Sequence, residues 1–507
     1  MPLSDSPSAN RQIARAAGTV MVAFVFSQIT GLARRILVAG AFGAGAELDA
    51  FIAANRVSET LFNLVAGGAL GSAFIPTFTA LLARGDRRGA WRLASAVGNL
   101  IFLTLGTLAA LAALFAPQIV RYALAPGFAA DASQFALTVS LMRIQLLAAV
   151  LFGLSGLVMG ILNSHQVFFI PALTPAMYQL GMIFGVLALV PRMGIHGLAW
   201  GVVIGAAFHL LLQVPTLLKQ GGHYTFTLGW GNADVGEVIR LMGPRLVGVA
   251  VVQLNFWVNT WLASRMPEGS VAGIEYGFAL MLMAQVAIAQ SIATAAMPTL
   301  AAQFALGKLD EMRTSLAASL RGVLLLSAPA TAGLILLRRP LIAMLYQRGE
   351  FGPRSTELVA WALLWYAAGL IGHSVVEILA RAFYALHDTK TPVLVGATAM
   401  SLNVGFSFAF AALFERVGWM PHGGLALANS LATALEMSGL LFLMQRRLGG
   451  IEGKKIARGA GQAALATLGM ALALGAWVRA AGPRAAWLVT LGGMGIGATV
   501  YALGMWA

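Results

Sequence analysis

The chain has 507 residues, 59% of them hydrophobic and 10% charged, against roughly 25% charged in a soluble globular protein. That composition excludes a soluble enzyme, and apolar stretches of about twenty residues recurring along the whole length point to a polytopic helical membrane protein. The formal charge of +14 reads as the orientation signal of such a protein, carried in loops and at helix ends, and not as a nucleic-acid surface.

Short alternating segments, the mark of a membrane β-barrel, are absent. Zero cysteines remove disulfides, thiolate metal sites and cysteine nucleophiles. In chain order, Met1 to Gln12 is short and polar. The apolar run after it is too long for a signal-peptide core and is interrupted by Arg34 and Arg35, which makes it a retained first helix. Fourteen helices are expected, beginning near residues 13, 48, 91, 133, 167, 197, 235, 271, 312, 356, 391, 423, 456 and 485. An even number puts both termini on one side. Loops on that side carry sixteen Lys and Arg against ten on the other, concentrated after the second helix (Arg84, Arg87, Arg88, Arg92) and the twelfth (Arg446, Arg447, Lys454, Lys455, Arg458). Both termini are therefore expected in the cytoplasm.

The chain also repeats itself. Ala73-Phe74-Ile75-Pro76-Thr77 recurs as Ala296-Met297-Pro298-Thr299 at a spacing of 222, each copy read as a helix end before a short charged loop. Val25 to Gln28 matches Val251 to Gln253 at 225, Pro171 matches Pro392 at 221, and His196-Gly197-Leu198-Ala199 matches Gly423-Gly424-Leu425-Ala426 at 227. Six helices separate the copies, so the halves share one orientation and a pseudo-twofold axis along the membrane normal. The expected organisation is an N-lobe at 11–222, a C-lobe at 234–449 and two extra helices at 456–507, with a Gly-rich linker at 220–234.

The run from Arg381 through His387-Asp388-Thr389-Lys390-Thr391-Pro392 resembles the loop between helices ten and eleven of the MviN/MurJ family, lipid II flippases of the multidrug/oligosaccharidyl-lipid/polysaccharide exporter superfamily. Matching segments in family order include Phe42 to Gly45 with Asp49-Ala50-Phe51, Ala125 to Phe128, Ile161-Leu162-Asn163 with Ile170-Pro171, Gly243-Pro244, and Leu345 to Gly349 with Phe351. The resemblance implies a transporter that moves undecaprenyl-pyrophosphate-linked precursor from the inner to the outer leaflet by alternating access, for cell wall biogenesis. It further implies a head-group cavity between the lobes and a lipid-tail groove made partly by the last two helices.

By the same alignment, the family's cavity arginines on the first, second and eighth helices fall on Gln28, on Phe62 or Asn63, and on Ala279, none of them basic. A pyrophosphate in a low-dielectric cavity needs cationic partners, so Arg34, Asp49 and Arg56, which match family positions, are the substrate or gating candidates with Gln28, Asn63 and Glu275. The pairing of Arg34 with Asp49 more simply serves a helix end. Arg56 and Glu59, three apart, share a face and form a local pair. Glu377 is placed to partner Arg381 at i+4, while His373 and Glu377 form a proton-relay candidate. Glu436, deep in the twelfth helix, has no cation near it in sequence. Some family members bind sodium in the second lobe; the matching positions include Asn259 and Asn403, and two amides alone make a weak cation site. The seven histidines lack metal-ligand spacing, and no Gly-rich loop with Lys-Ser/Thr marks ATP hydrolysis. No cofactor or metal is expected. The expected partners are a polyprenyl-pyrophosphate-linked lipid, membrane lipids and other cell-wall synthesis proteins. The alternatives are a flippase for another polyprenyl-linked oligosaccharide, a non-transporting scaffold of an envelope-synthesis complex, and a drug antiporter, against which the extra helix pair argues.

Overall fold

A computed structural model describes residues 9–65, 69–482 and 484–506; Gly67 and Gly68 and the side chains of Arg11, Arg15 and Arg245 lie outside what is described. Among the described residues every regular element is helical. In chain order these are α1 (Ala9–Phe42), α2 (Ala46–Val65), α3 (Ala69–Ala83), α4 (Arg87–Leu114), α5 (Ala132–Ser164), α6 (Phe169–Phe184), α7 (Ile195–Leu211) and α8 (Ala233–Ala263). They continue as α9 (Ser270–Gln285), α10 (Ser291–Ala305), α11 (Leu309–Tyr346), α12 (Pro353–Ala368), α13 (Leu370–Ala385), α14 (Lys390–Arg416), α15 (His422–Leu448), α16 (Gly453–Ala481) and α17 (Ala486–Trp506). Eleven helical stretches of the described residues are long and apolar enough to cross a membrane, twelve if α12 and α13, bent by 47°, make one span. Helices α2, α3 and α8 lie outside that count. Each of the fourteen starts expected from the sequence has a helix starting within about four residues of it, as at Ser270 and Lys390.

Local chemistry sets the ends. Asp86 accepts from the Gly89 amide ahead of α4, and Asp131 from the Ser133 and Gln134 amides ahead of α5, satisfying donors that a helix start leaves open. Hydrogen bonds to Ser133 and Gln134 hold the Asp131 carboxyl below its ordinary range. Pro76 and Pro298 sit inside α3 and α10 and do not end them. The bent pair α12–α13 breaks at Gly369, whose amide turns to the carbonyl of Tyr366. Trp365 thereby loses its i+4 donor, and the Ser430 hydroxyl supplies one at 2.6 Å.

The repeat is written in the backbone as well. Left-handed residues recur at Gly85 and Gly307 (φ 79° and 69°) and at Gln166 and His387 (φ 60° and 58°). The spacings are 222 and 221, the same as in the sequence matches.

The chain divides by contacts into two compact units: residues 46–253 with those up to Phe42, and residues 254–507 with Gly43–Gly45. The division falls inside α8, whereas the sequence places it in the Gly-rich linker. In the first unit α5 packs on α2, α4 and α7, and α1 on α6, around Phe74, Phe78, Leu93, Leu105 and Ile161. Helices α6 and α7 meet backbone to backbone: a Cβ on Gly205 would stand 2.5 Å from the Tyr178 carbonyl oxygen. The linker is strapped along α4, with Asn99 donating to the Thr227 carbonyl (2.8 Å), Tyr224 donating to Asn99 (2.9 Å) and the Thr225 amide donating to Ser95 (3.1 Å). In the second unit α14 packs on α15, and α11 on α16 and α17. Its core gathers Leu316, Leu320, Leu379, Phe383, Leu440 and Met444.

Candidate functional site

In the first unit the charged candidates lie on α1 and α2. Arg34 is half-buried, with Nη1 3.5 Å from the Met182 sulfur on α6, and both Arg34 and Glu59 act electrostatically on half-buried Tyr178 of the same helix. Asp49 is 2% exposed in the first turn of α2, where the helix dipole favours a carboxylate. Arg56 and Glu59 do form the local pair, at 3.0 Å, with side chains 9% and 43% exposed. Such a half-solvated pair adds little net stability, so its meaning is the partial neutralisation of a buried guanidinium. The Thr60 hydroxyl bridges the Arg56 carbonyl (2.7 Å) and Oε1 of Gln253 on α8 (3.3 Å). Gln28 is exposed on α1 and Asn63 half-buried on α2.

In the second unit Glu275 is half-buried on α9, and Ala279, one turn further, is 5% exposed. Asn259 and Asn403, paired only by alignment in the sequence, do meet, through two residues that sequence reasoning missed. Asn255 Oδ1 accepts from Asn403 (3.2 Å) and Asn259 (3.4 Å), and the Ser407 hydroxyl reaches Oδ1 of both Asn259 and Asn403 (3.4 Å each). The available signal was spacing: Asn255 and Asn259, like Asn403 and Ser407, are four apart and share a helix face. Every amide oxygen of this neutral clasp between α8 and α14 is already engaged.

The relay candidate separates. His373 is hydrogen-bonded to Asn429 (3.0 Å) and lies 3.3 Å from the Thr433 hydroxyl, both on α15. Glu377 accepts from Arg381 at 2.8 Å, and Arg381 also donates to Thr294 and to the Gln290 carbonyl. No group of three or more His, Asp or Glu able to hold a metal is found among the described residues.

A groove of about 470 Å³ runs between α11, α16 and α17, lined by Leu326, Gly333, Leu337, Met470, Gly497 and Tyr501 among others. Its lining is almost wholly apolar, and the Tyr501 hydroxyl is turned away to the Leu325 carbonyl (2.6 Å). Small residues on α17 open the space and branched ones on α11 make its wall.

These helices form the fold of a multi-pass membrane transporter. A solved structure titled lipid II flippase MurJ, inward closed conformation, superposes with a TM-score of 0.82 at 24% identity, covering 96% of this chain and 97% of that one. An inward-facing multidrug resistance MATE family transporter of the MOP superfamily superposes at 0.71, with 15% identity over 84% of this chain and 96% of the other. The family model described as lipid II flippase MurJ matches residues 38–490. The lipid II flippase MurJ of Burkholderia cenocepacia is 31% identical over 441 residues, 86% of this chain and 84% of that protein. A probable lipid II flippase MurJ of Vibrio cholerae is 32% identical over 425 residues, 82% and 79% of the two chains. The chain belongs to the MurJ family, a family of transporters and not of enzymes.

Proposed function

We propose that this protein is a lipid II flippase, carrying the undecaprenyl-pyrophosphate-linked peptidoglycan precursor from the inner to the outer leaflet of the plasma membrane by alternating access. The observation that carries this reading is the family match over residues 38–490. The apolar groove of α11, α16 and α17 supports it, since a polyprenyl tail needs a dry wall along the bilayer core. Arg34 and Arg56 supply cationic groups in the first unit for a pyrophosphate. Gln28, Asp49, Glu59 and Asn63 are assigned polar contact or gating in that unit, and Glu275 the same kind of role within the second unit. The neutral clasp of Asn255, Asn259, Asn403 and Ser407 is assigned the holding of α8 to α14 during rocking, and both termini the cytoplasm. The lobes at 11–222 and 234–449, with the helices at 456–507 as tail groove, are the moving parts of this reading. Other cell-wall synthesis proteins are its assigned neighbours in the membrane.

One observation favours a second cargo, another polyprenyl-linked oligosaccharide. Gln28, Phe62 or Asn63, and Ala279, which the resemblance aligns with cavity arginines, are not basic in this chain, and Arg56 is tied to Glu59. Complementation of a bacterium depleted of its flippase, with outward exposure of lipid II measured, separates the two. Restored growth together with restored exposure supports lipid II; stable insertion with neither removes it.

A further inference from the structure

Glu436 is an intramembrane carboxyl to which no role has been assigned above. It stands 14 residues from the start of α15 and 12 from its end, about 20 Å from either at 1.5 Å per residue, and so near the middle of the span. It opens on a crevice of about 310 Å³ between α14 and α15, lined by Leu394, Val395, Thr398, Ala399, Leu435 and Gly439. The one hydroxyl there, Thr398, already donates to the Leu394 carbonyl. Room for the carboxyl comes from Gly396, where a Cβ would stand 3.1 Å from Oε1 of Glu436.

No described residue gives Glu436 a hydrogen bond or an ion pair. Of the helices packed on α15, α14 carries Lys390, Glu415 and Arg416 at its ends, and α12 carries Arg354 and Glu357 in its first turns, with Glu357 bonded to Arg339. Helix α13 brings Glu377 and Arg381, bonded to each other, and His373, bonded to Asn429; α9 brings Glu275. None of them reaches Glu436.

The repeat supplies an independent comparison. At the spacing of 227 that relates Ile195 to His422, the first residues of α7 and α15, His209 corresponds to Glu436. His209 is satisfied: Nδ1 lies 2.6 Å from the Ser155 hydroxyl, and Gln213 donates to the same oxygen (2.6 Å) and to the His209 carbonyl (3.0 Å). At the same spacing Gln213 corresponds to buried Leu440. The second half thus keeps a titratable group at this depth and has lost its partner.

An unpartnered carboxylate in hydrocarbon is costly, whereas the neutral acid is tolerated. We propose that Glu436 is a proton-binding site of the second unit, occupied while the crevice between α14 and α15 is dry and vacated when water enters it. The site gives the transport cycle a proton-dependent step, a consequence that rests on the transporter reading; the proton site itself does not.

A membrane-soluble carbodiimide tests it on the purified full-length protein in lipid nanodiscs. The protonated carboxyl adds across one C=N bond, its oxygen joining the central carbon and its proton passing to nitrogen. An O-to-N acyl shift then gives an N-acylurea with every atom of both reactants retained. Peptide mass spectrometry should find dicyclohexylcarbodiimide on Glu436 at pH 7 while exposed Glu311 stays unmodified, with labelling falling as pH rises and absent in Glu436→Gln. Glu436 unlabelled at pH 6, or labelled no more than Glu311, overturns the proposal. In cells, Glu436→Gln should flatten the dependence of lipid II exposure on pH between 6 and 8; an unchanged dependence overturns the proton-linked step. If the wild type exposes no lipid II while Glu436 labels as described, the cargo reading falls and the proton site stands.

Discussion

Arg56 and His165 show how much one side chain can be asked to explain. Because Glu59 is 43% exposed, removing it takes away a screened partner and costs at most about 1 kcal/mol of stability. Glu59→Gln should therefore keep normal membrane levels and leave Arg56 more available to an anionic head group. Arg56→Ala should lower lipid II exposure at normal membrane level; loss of the protein itself from the membrane would instead assign Arg56 to folding. His165, just outside the spans, lies against Phe78 (5.9 Å, edge to face) and Trp91 (6.3 Å, stacked). Burial, and then the Arg87 charge, hold its imidazole below the ordinary 6.5. Below about pH 6.5 the unfolded chain takes up a proton that the folded ring refuses, so stability falls with pH until the folded ring itself titrates. The thermal midpoint of the wild type should drop more between pH 7.5 and 5.5 than that of His165→Phe, which keeps the stack without the titration. Equal drops would contradict this.

At the scale of elements, two junctions carry the second unit. Asn403 is fully buried in the clasp of α8 and α14, and Asn403→Ala takes one bond each from Asn255 and Ser407, which keep Asn259 as a partner, at a cost of about 1 kcal/mol. Asn403→Asp should not rescue it, because the site supplies no cation. At the bend between α12 and α13 a Cβ on Gly369 would stand 2.5 Å from the Ser430 hydroxyl, so Gly369→Ala should cost about 1–3 kcal/mol through overpacking and the lost Ser430 bond to Trp365. Thermal unfolding in detergent measures both. Helix starts were legible in the sequence because apolar runs bounded by charges and glycine follow directly from the bilayer's demand for satisfied backbone. The bend was not, because it depends on Ser430, sixty-one residues away. The clasp was half legible: Asn259 and Asn403 came from alignment, while Asn255 and Ser407 look like any polar residue in a span until the two helices are set side by side. Glu377 with Arg381 was readable from i+4 spacing, whereas the hydrogen bonds of His373 were not, because its partners Asn429 and Thr433 lie on another helix.

For the whole molecule, the duplication and the groove fit the transport reading that the family match carries. Repeated left-handed residues at the repeat spacing show that the halves share loop geometry and not only composition. Filling the groove is a direct test of its part: Gly333 has open space where a side chain would go, so Gly333→Phe should lower lipid II exposure while leaving the thermal midpoint near that of the wild type. Unchanged exposure would take the groove out of the cycle.

The claim on which the rest depends is the cargo. In a bacterium depleted of its own flippase and expressing this chain at normal membrane level, lipid II on the outer leaflet can be quantified with a reagent that cannot cross the membrane. The account predicts exposure and growth restored by the wild-type chain, with exposure reduced by Arg34→Ala and Arg56→Ala. Stable insertion with no lipid II reaching the outer leaflet would contradict it.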